Sequence, residues 1–119
     1  MEWYGIDFTK DFLWYLASAG KILTSFTTGI AQEEVFLQLT DKSYDYLDEG
    51  WTSLTTEKED LITLWNQLSM TTGMDDTQGG CKTPDCHTYI ADAGTRWSYH
   101  NAPYPFLQDV ITNASDTDF

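Results

Sequence analysis

Positive charge is what this chain has least of. Six lysines and arginines stand against 19 aspartates and glutamates, giving a net charge of −13 over 119 residues. That balance excludes a nucleic-acid backbone binder, which needs a basic footprint. It also sets the chain against anionic lipid surfaces. A secretory signal is lacking as well. Such a signal opens with basic residues and ends at a small-residue cleavage site, whereas this chain opens Met1-Glu2-Trp3-Tyr4-Gly5-Ile6-Asp7. The expected location is therefore intracellular or within a virion. Long apolar runs are missing too. The best span is 12–31, and Lys21 stands near its centre at a cost of about 2.5–3.5 kcal/mol for insertion. Thr24, Ser25, Thr27 and Thr28 follow closely. No transmembrane segment is expected.

Signatures of catalysis are equally sparse. There is no Gly-x-Ser-x-Gly elbow. A phosphate loop ending at Gly20-Lys21 would need glycine where Tyr15 stands. A calcium loop opening at Asp41 fails at its sixth position, Tyr46, and its twelfth, Thr52. A di-iron site needs Glu three residues before each histidine, and Pro84 and Trp97 stand there instead. The reading is that this is not an enzyme and carries no cofactor.

Cysteine is limited to Cys81 and Cys86, and histidine to His87 and His100. Together they are the one motif that bears on chemistry. A tetrahedral zinc site would take all four, but adjacent Cys86 and His87 would have to turn toward one ion. A c-type haem attachment places histidine directly after the second cysteine, usually with two residues between the cysteines; here there are four. A disulfide would close a loop around Pro84 and would need an oxidising compartment. The plain alternative is two thiols in a surface loop.

What the chain does contain is aromatic. Rings make up 15% of the residues, and threonine occurs 17 times. This is too apolar for disorder by composition. A chain of this size buries about two-thirds of its unfolded surface, enough for one core.

Periodicity points to helix. Phe8, Phe12, Leu16, Ala19, Leu23, Phe26 and Ile30 draw one stripe. Thr9 is placed to cap it, with Phe8 and Leu13 as a staple. Leu13, Trp14, Tyr15 and Ile22 widen the apolar face, which marks a central helix or a subunit interface. A second helix is expected over 31–47, ending before Gly50. A third opens at Thr56 with Glu59 as a capping box and buries Leu61, Leu64, Trp65 and Leu68. Gly73 marks its end.

Beyond residue 74 the pattern is irregular, with a short strand over 88–91 and an extended 101–105 segment. Pro105 then opens a short helix through Phe106, Leu107, Val110 and Ile111. The tail over 113–119 reads as frayed. The expected fold is all-α: a bundle of about three helices over 1–73, then a loop-rich, partly extended C-terminal region over 74–119 packed on the bundle or on a partner.

Function rests on surfaces. The aromatic segment around Trp97, Tyr99, Tyr104 and Phe106 lacks any period and reads as an arm on a neighbour or a folded-back loop. With Trp14 and Tyr15 it forms the candidate interface. The first expectation is a structural or interaction subunit of a larger protein assembly, of the virion neck, adaptor or collar type. The second is an acidic inhibitor, an immunity protein or DNA mimic that occupies a basic enzyme. Its candidate patch is Asp41, Asp45, Asp48, Glu49, Glu57, Glu59 and Asp60. The third is a small zinc or haem protein. Partners are other protein subunits, without direct nucleic-acid contact.

Overall fold

The computed structural model describes residues 1–116. Five short α-helices lie along it: α1 (Lys21–Glu33), α2 (Tyr44–Leu47), α3 (Thr56–Glu59), α4 (Leu64–Leu68) and α5 (Phe106–Ser115). Turns of 3-10 helix add Ala17–Gly20 and Pro84–Cys86. Helix makes up only 37% of the structure. Among the described residues there is no strand, only isolated bridges at Lys42–Thr63 and Met74–Tyr89. The expected bundle of three helices is therefore corrected: the molecule is extended and loop-rich. Its radius of gyration is 16.3 Å, against about 13.5 Å for a compact chain of this length.

The corrections have local causes. The first helix does not start at Thr9. It starts after Ala17, whose φ of 48° lies in the left-handed region. Neither the 3-10 turn nor α1 has a side-chain cap at its start. Gly29 lies inside α1. Thr27 and Thr28 return their hydroxyls to the carbonyls of Leu23 and Thr24, so the β-branched pair lies inside a regular helix. The end comes at Val35, with φ 63°. There Val35 N–H donates to the Gln32 carbonyl and Phe36 N–H to the Ala31 carbonyl. This is the Schellman closure that normally takes glycine. Valine hides it from a reading of the sequence.

The second predicted helix, 31–47, loses its start to α1 and keeps only Tyr44–Leu47, and the third shrinks as well. Thr56 does not cap α3. Its hydroxyl donates instead to Glu49, and Glu59 turns inward to hold a loop. The capping box sits at α4, where Thr63 and Asn66 bond reciprocally. Of the side chains expected to be buried, Leu61 and Trp65 are exposed and Leu64 is fully buried, beside Asn66 and Gln67 of α4. Gly73 is not a helix stop. Its carbonyl accepts from Ile90 and Ala91 N–H, and a Cβ there would sit 2.1 Å from the Ala91 carbonyl oxygen. The 88–91 segment makes only the single bridge at Tyr89.

Helix α5 organises the core. It packs against α1, α2 and α4. Leu107, Val110 and Ile111 are its buried side chains. One apolar cluster joins Val110 and Ile111 to Ala31, Leu37 and Leu64. A second, around Trp51, Ile62 and Met74, takes in Phe106, and Leu47 borders both. The core also contains a polar tie. Ser43 donates to Gln67 at 2.8 Å, and the Gln67 amide donates to the Pro103 carbonyl at 3.0 Å. Ser43 and Gln67 are fully buried, so these bonds satisfy groups that would otherwise be costly to bury. The predicted frayed tail begins inside α5, and its last part, 117–119, lies outside the described residues.

Candidate interaction surface

The N-terminal segment is turned outward. Residues 1–19 are all exposed. Within them Phe8, Phe12 and Trp14 form a small ring cluster, with centroids 4.7 and 5.2 Å apart for Phe8–Phe12 and Phe8–Trp14. Ala17–Gly20 then leads into α1, whose two faces are inverted relative to the usual surface helix. The side that meets the body carries Lys21, Thr24, Thr28 and Ala31, with Thr28 and Ala31 buried. The opposite side carries Ile22, Phe26 and Ile30, and Leu23 stands at the edge bordering α5; all four are exposed. Val35 and Phe36 extend the apolar face past the helix end.

Small residues on the inner face explain the docking. Thr28 and Ala31 let α1 approach α5 closely. Lys21 is the single charge over 12–32, and it is occupied. Its ammonium donates to Asn101 at 2.7 Å and lies over the rings of Tyr99 and Tyr104, 5.3 and 5.6 Å from their centroids. Tyr104 donates its hydroxyl to the Lys21 carbonyl at 3.1 Å. Between α1 and α5 runs an apolar groove of about 170 Å³ lined by Leu23, Thr24, Thr27, Gln108 and Ile111.

The predicted interface residues divide on this frame. Trp14, Tyr15, Trp97 and Tyr99 are exposed. Tyr99 lies beside the start of α1, where Ser18 and then Lys21 hold its phenol below the ordinary value. Tyr104 is buried, and Phe106 packs into the core beside Trp51. The 101–105 segment is thus a folded-back loop. Ile22, Val35 and Phe36 are surface residues that the candidate set omits. The alternating small and polar stripe Lys21, Thr24, Thr28, Ala31 was the signal for which way α1 faces.

The predicted acidic patch also divides. Glu59 is buried. It accepts from Gly50 N–H at 2.8 Å, from Thr52 N–H at 3.0 Å and from the Thr52 hydroxyl. Asp41 accepts from Gln38 N–H and from the Tyr46 hydroxyl. Burial, with this bond second, pushes the Tyr46 phenol well above its usual range. Asp60 pairs with Lys42 at 2.6 Å. Asp45, Asp48, Glu49 and Glu57 are exposed.

Cys81 and Cys86 are joined in a disulfide that closes a loop over Pro84. This takes both sulfurs out of the zinc and haem ligand sets proposed from their spacing. Among the described residues no group of three or more histidine, cysteine or acidic side chains converges to hold a metal ion. His87 is instead a core residue. Its ring meets Trp51 and Phe106 edge to face, with centroids 5.9 and 5.4 Å away. Its Nδ1 lies 3.3 Å from the Trp51 carbonyl. His100 is nearly as buried. Burial, then the neighbouring His87, pushes its pKa below the ordinary value, while Asp76 and Asp75 pull it up. Asp76 accepts from Ser98 and Arg96, which hold its carboxyl at about 2.

Among the described residues no helix is long and apolar enough to cross a membrane. Compared with protein-family models, with curated proteins and with solved structures, the chain matches none.

Proposed function

We propose that this chain is a non-enzymatic interaction subunit of a larger protein assembly. One observation carries the reading: the apolar side of α1 and all of residues 1–19 face solvent. A lone soluble domain rarely leaves so large a contiguous apolar surface uncovered, and surfaces of this kind mark interaction sites. The exposed rings of Trp3, Trp14 and Tyr15 supply anchors of the type that dominate interfaces. The disulfide is of the kind that persists in oxidising surroundings, of which a virion surface is one.

The acidic-inhibitor reading comes second. It rests on the exposed carboxylates Asp45, Asp48 and Glu57, since Asp41, Glu49, Glu59 and Asp60 already serve partners within the fold. Native mass spectrometry of the protein isolated from its own source, at low and high salt, separates the two. The assembly reading expects a multi-subunit particle that resists salt. A one-to-one complex with a basic protein, dissociated by salt, establishes the inhibitor instead. A stable monomer without any partner overturns both.

A further inference from the structure

We propose that buried His100 is a proton-sensitive latch: the charge it gains in mildly acidic surroundings loosens the 98–102 segment and, with it, the clamp on the start of α1. The inference goes beyond the assembly reading and does not depend on it.

His100 is 3% exposed, and neither of its ring nitrogens reaches a hydrogen-bond partner among the described residues. The Nε2 atom of neighbouring His87, itself fully buried, is in the same position. Buried polar groups are nearly always paired, and each exception calls for a reason. A neutral imidazole carries one N–H donor and an imidazolium two. Charging His100 therefore adds a second donor and a full charge where one donor is already unanswered.

The groups that face His100 do not offset this. Arg96 and His87 oppose a positive charge there, whereas Asp76 and Asp75 favour it. Both carboxylates are engaged elsewhere. Asp76 accepts from Arg96 at 2.7 Å and from the Ser98 hydroxyl. Asp75 accepts from the Thr77 N–H and hydroxyl at 2.9 and 2.7 Å. His87 in turn is walled in by the rings of Trp51 and Phe106. Burial, then His87, wins: the His100 pKa lies below its ordinary 6.5. Falling pH therefore favours any state in which this ring reaches water.

The chain neighbours of His100 carry the clamp. Ser98 and His100 turn toward the body, the first to Asp76 and the second into its buried place. Tyr99 and Asn101 turn the other way, to Lys21: the Lys21 ammonium lies over the Tyr99 ring and donates to Asn101 at 2.7 Å. This alternation is that of an extended chain. Outside the clamp the segment is held at its two ends. Ser98 N–H donates to the Met70 carbonyl at 3.2 Å, and Gln67 donates to the Pro103 carbonyl at 3.0 Å. A charge that drives His100 outward thus pulls on the two side chains that grip Lys21, and α1 is freed at its first residue.

The test is hydrogen exchange of the full oxidised chain between about pH 7 and pH 5, with rates corrected for the intrinsic effect of pH. His87 and His100 are the chain's only imidazoles, and no other type of side chain ordinarily changes charge in this window. The amides of α1 and of 98–102 are expected to exchange ahead of those of α5 and to lose protection together as pH falls, by about threefold or more. Lys21→Met cuts the clamp and leaves both histidines; it is expected to give α1 its low-pH exchange already at pH 7. His100→Phe and His100→Gln are expected to make α1 protection independent of pH over this range. A wild-type α1 whose protection does not fall with pH overturns the inference. So does an α1 that opens only together with α5, which makes the event whole-chain unfolding. A Lys21→Met chain that protects α1 as well as the wild type overturns it, as does a pH response that persists in a folded His100 variant. Should neither His100 variant fold, the wild-type profile and the Lys21→Met comparison still decide.

Discussion

Helices α1 and α5 lie against each other and use their apolar residues in opposite ways. Helix α5 turns Leu107, Val110 and Ile111 into the core. Helix α1 turns Thr28 and Ala31 inward and leaves Leu23, Phe26 and Ile30 outside. Both have a clear apolar stripe. A stripe shows that a helix has a face to bury; it does not say whether the burial is within the chain or against another.

The contrast can be broken most sharply by truncation at matched positions. Leu107→Ala and Ile111→Ala remove fully buried side chains and are expected to cost about 2–5 kcal/mol each. Phe26→Ala is expected to change monomer stability by no more than about 0.5 kcal/mol. Urea unfolding at low protein concentration reads both, and equal losses would mean α1 is buried in the monomer after all.

A second test concerns the loop beneath the start of α5. Glu59 gathers Gly50, Thr52 and their donors under Trp51, against which Phe106 packs. Glu59→Gln turns an amide N–H₂ toward a buried donor. The expected cost is about 1–3 kcal/mol, read from the same unfolding curves. A neutral outcome would show that this loop is not coupled to the core.

The third test stabilises rather than damages. Val35 closes α1 with φ 63°, where a β-branched residue is strained. Val35→Gly is expected to raise stability by about 1 kcal/mol, the order of the strain relieved less the added chain entropy. A lower thermal midpoint would mean that the exposed valine contributes contacts worth more than its strain.

The smallest effect is expected from pH. His100 has a folded pKa below the ordinary 6.5. The folded state therefore binds fewer protons than the unfolded chain as pH falls below 6.5, and stability declines there. Asp76, lowered from 3.8 to about 2, adds a separate loss between those values. His100→Phe should flatten the upper slope alone when unfolding free energy is followed against pH. An unchanged slope would place the titration elsewhere.

The sequence made α5 legible from its start. Pro105 fixed the opening turn, and the period of Leu107, Val110 and Ile111 marked the inner face. The rest was hidden by side chains doing unexpected work. Thr56 and Glu59 carry a capping-box pattern, yet each bonds to a residue of the loop that precedes α3. Val35 occupies a glycine position. Only the Leu23, Phe26 and Ile30 part of the predicted stripe lies on α1, and the direction of that helix depends on Thr28 and Ala31, one polar and one small, which carry little hydrophobic signal. Of the candidate interface, Tyr104 and Phe106 proved to be internal because Lys21 and Trp51 offered them partners more than 50 residues away in the chain. The state of Cys81 and Cys86 lay beyond spacing alone, since four intervening residues suit a disulfide and free thiols alike.

The elongated outline has a hydrodynamic consequence. With extents of 54 × 34 × 22 Å, the molecule drags more solvent than a sphere of its 13.6 kDa mass. It will diffuse slowly and leave a gel-filtration column early, mimicking a heavier particle. Elution volume alone would therefore count a single chain as more than one, and only a direct weighing of mass distinguishes an elongated monomer from a pair.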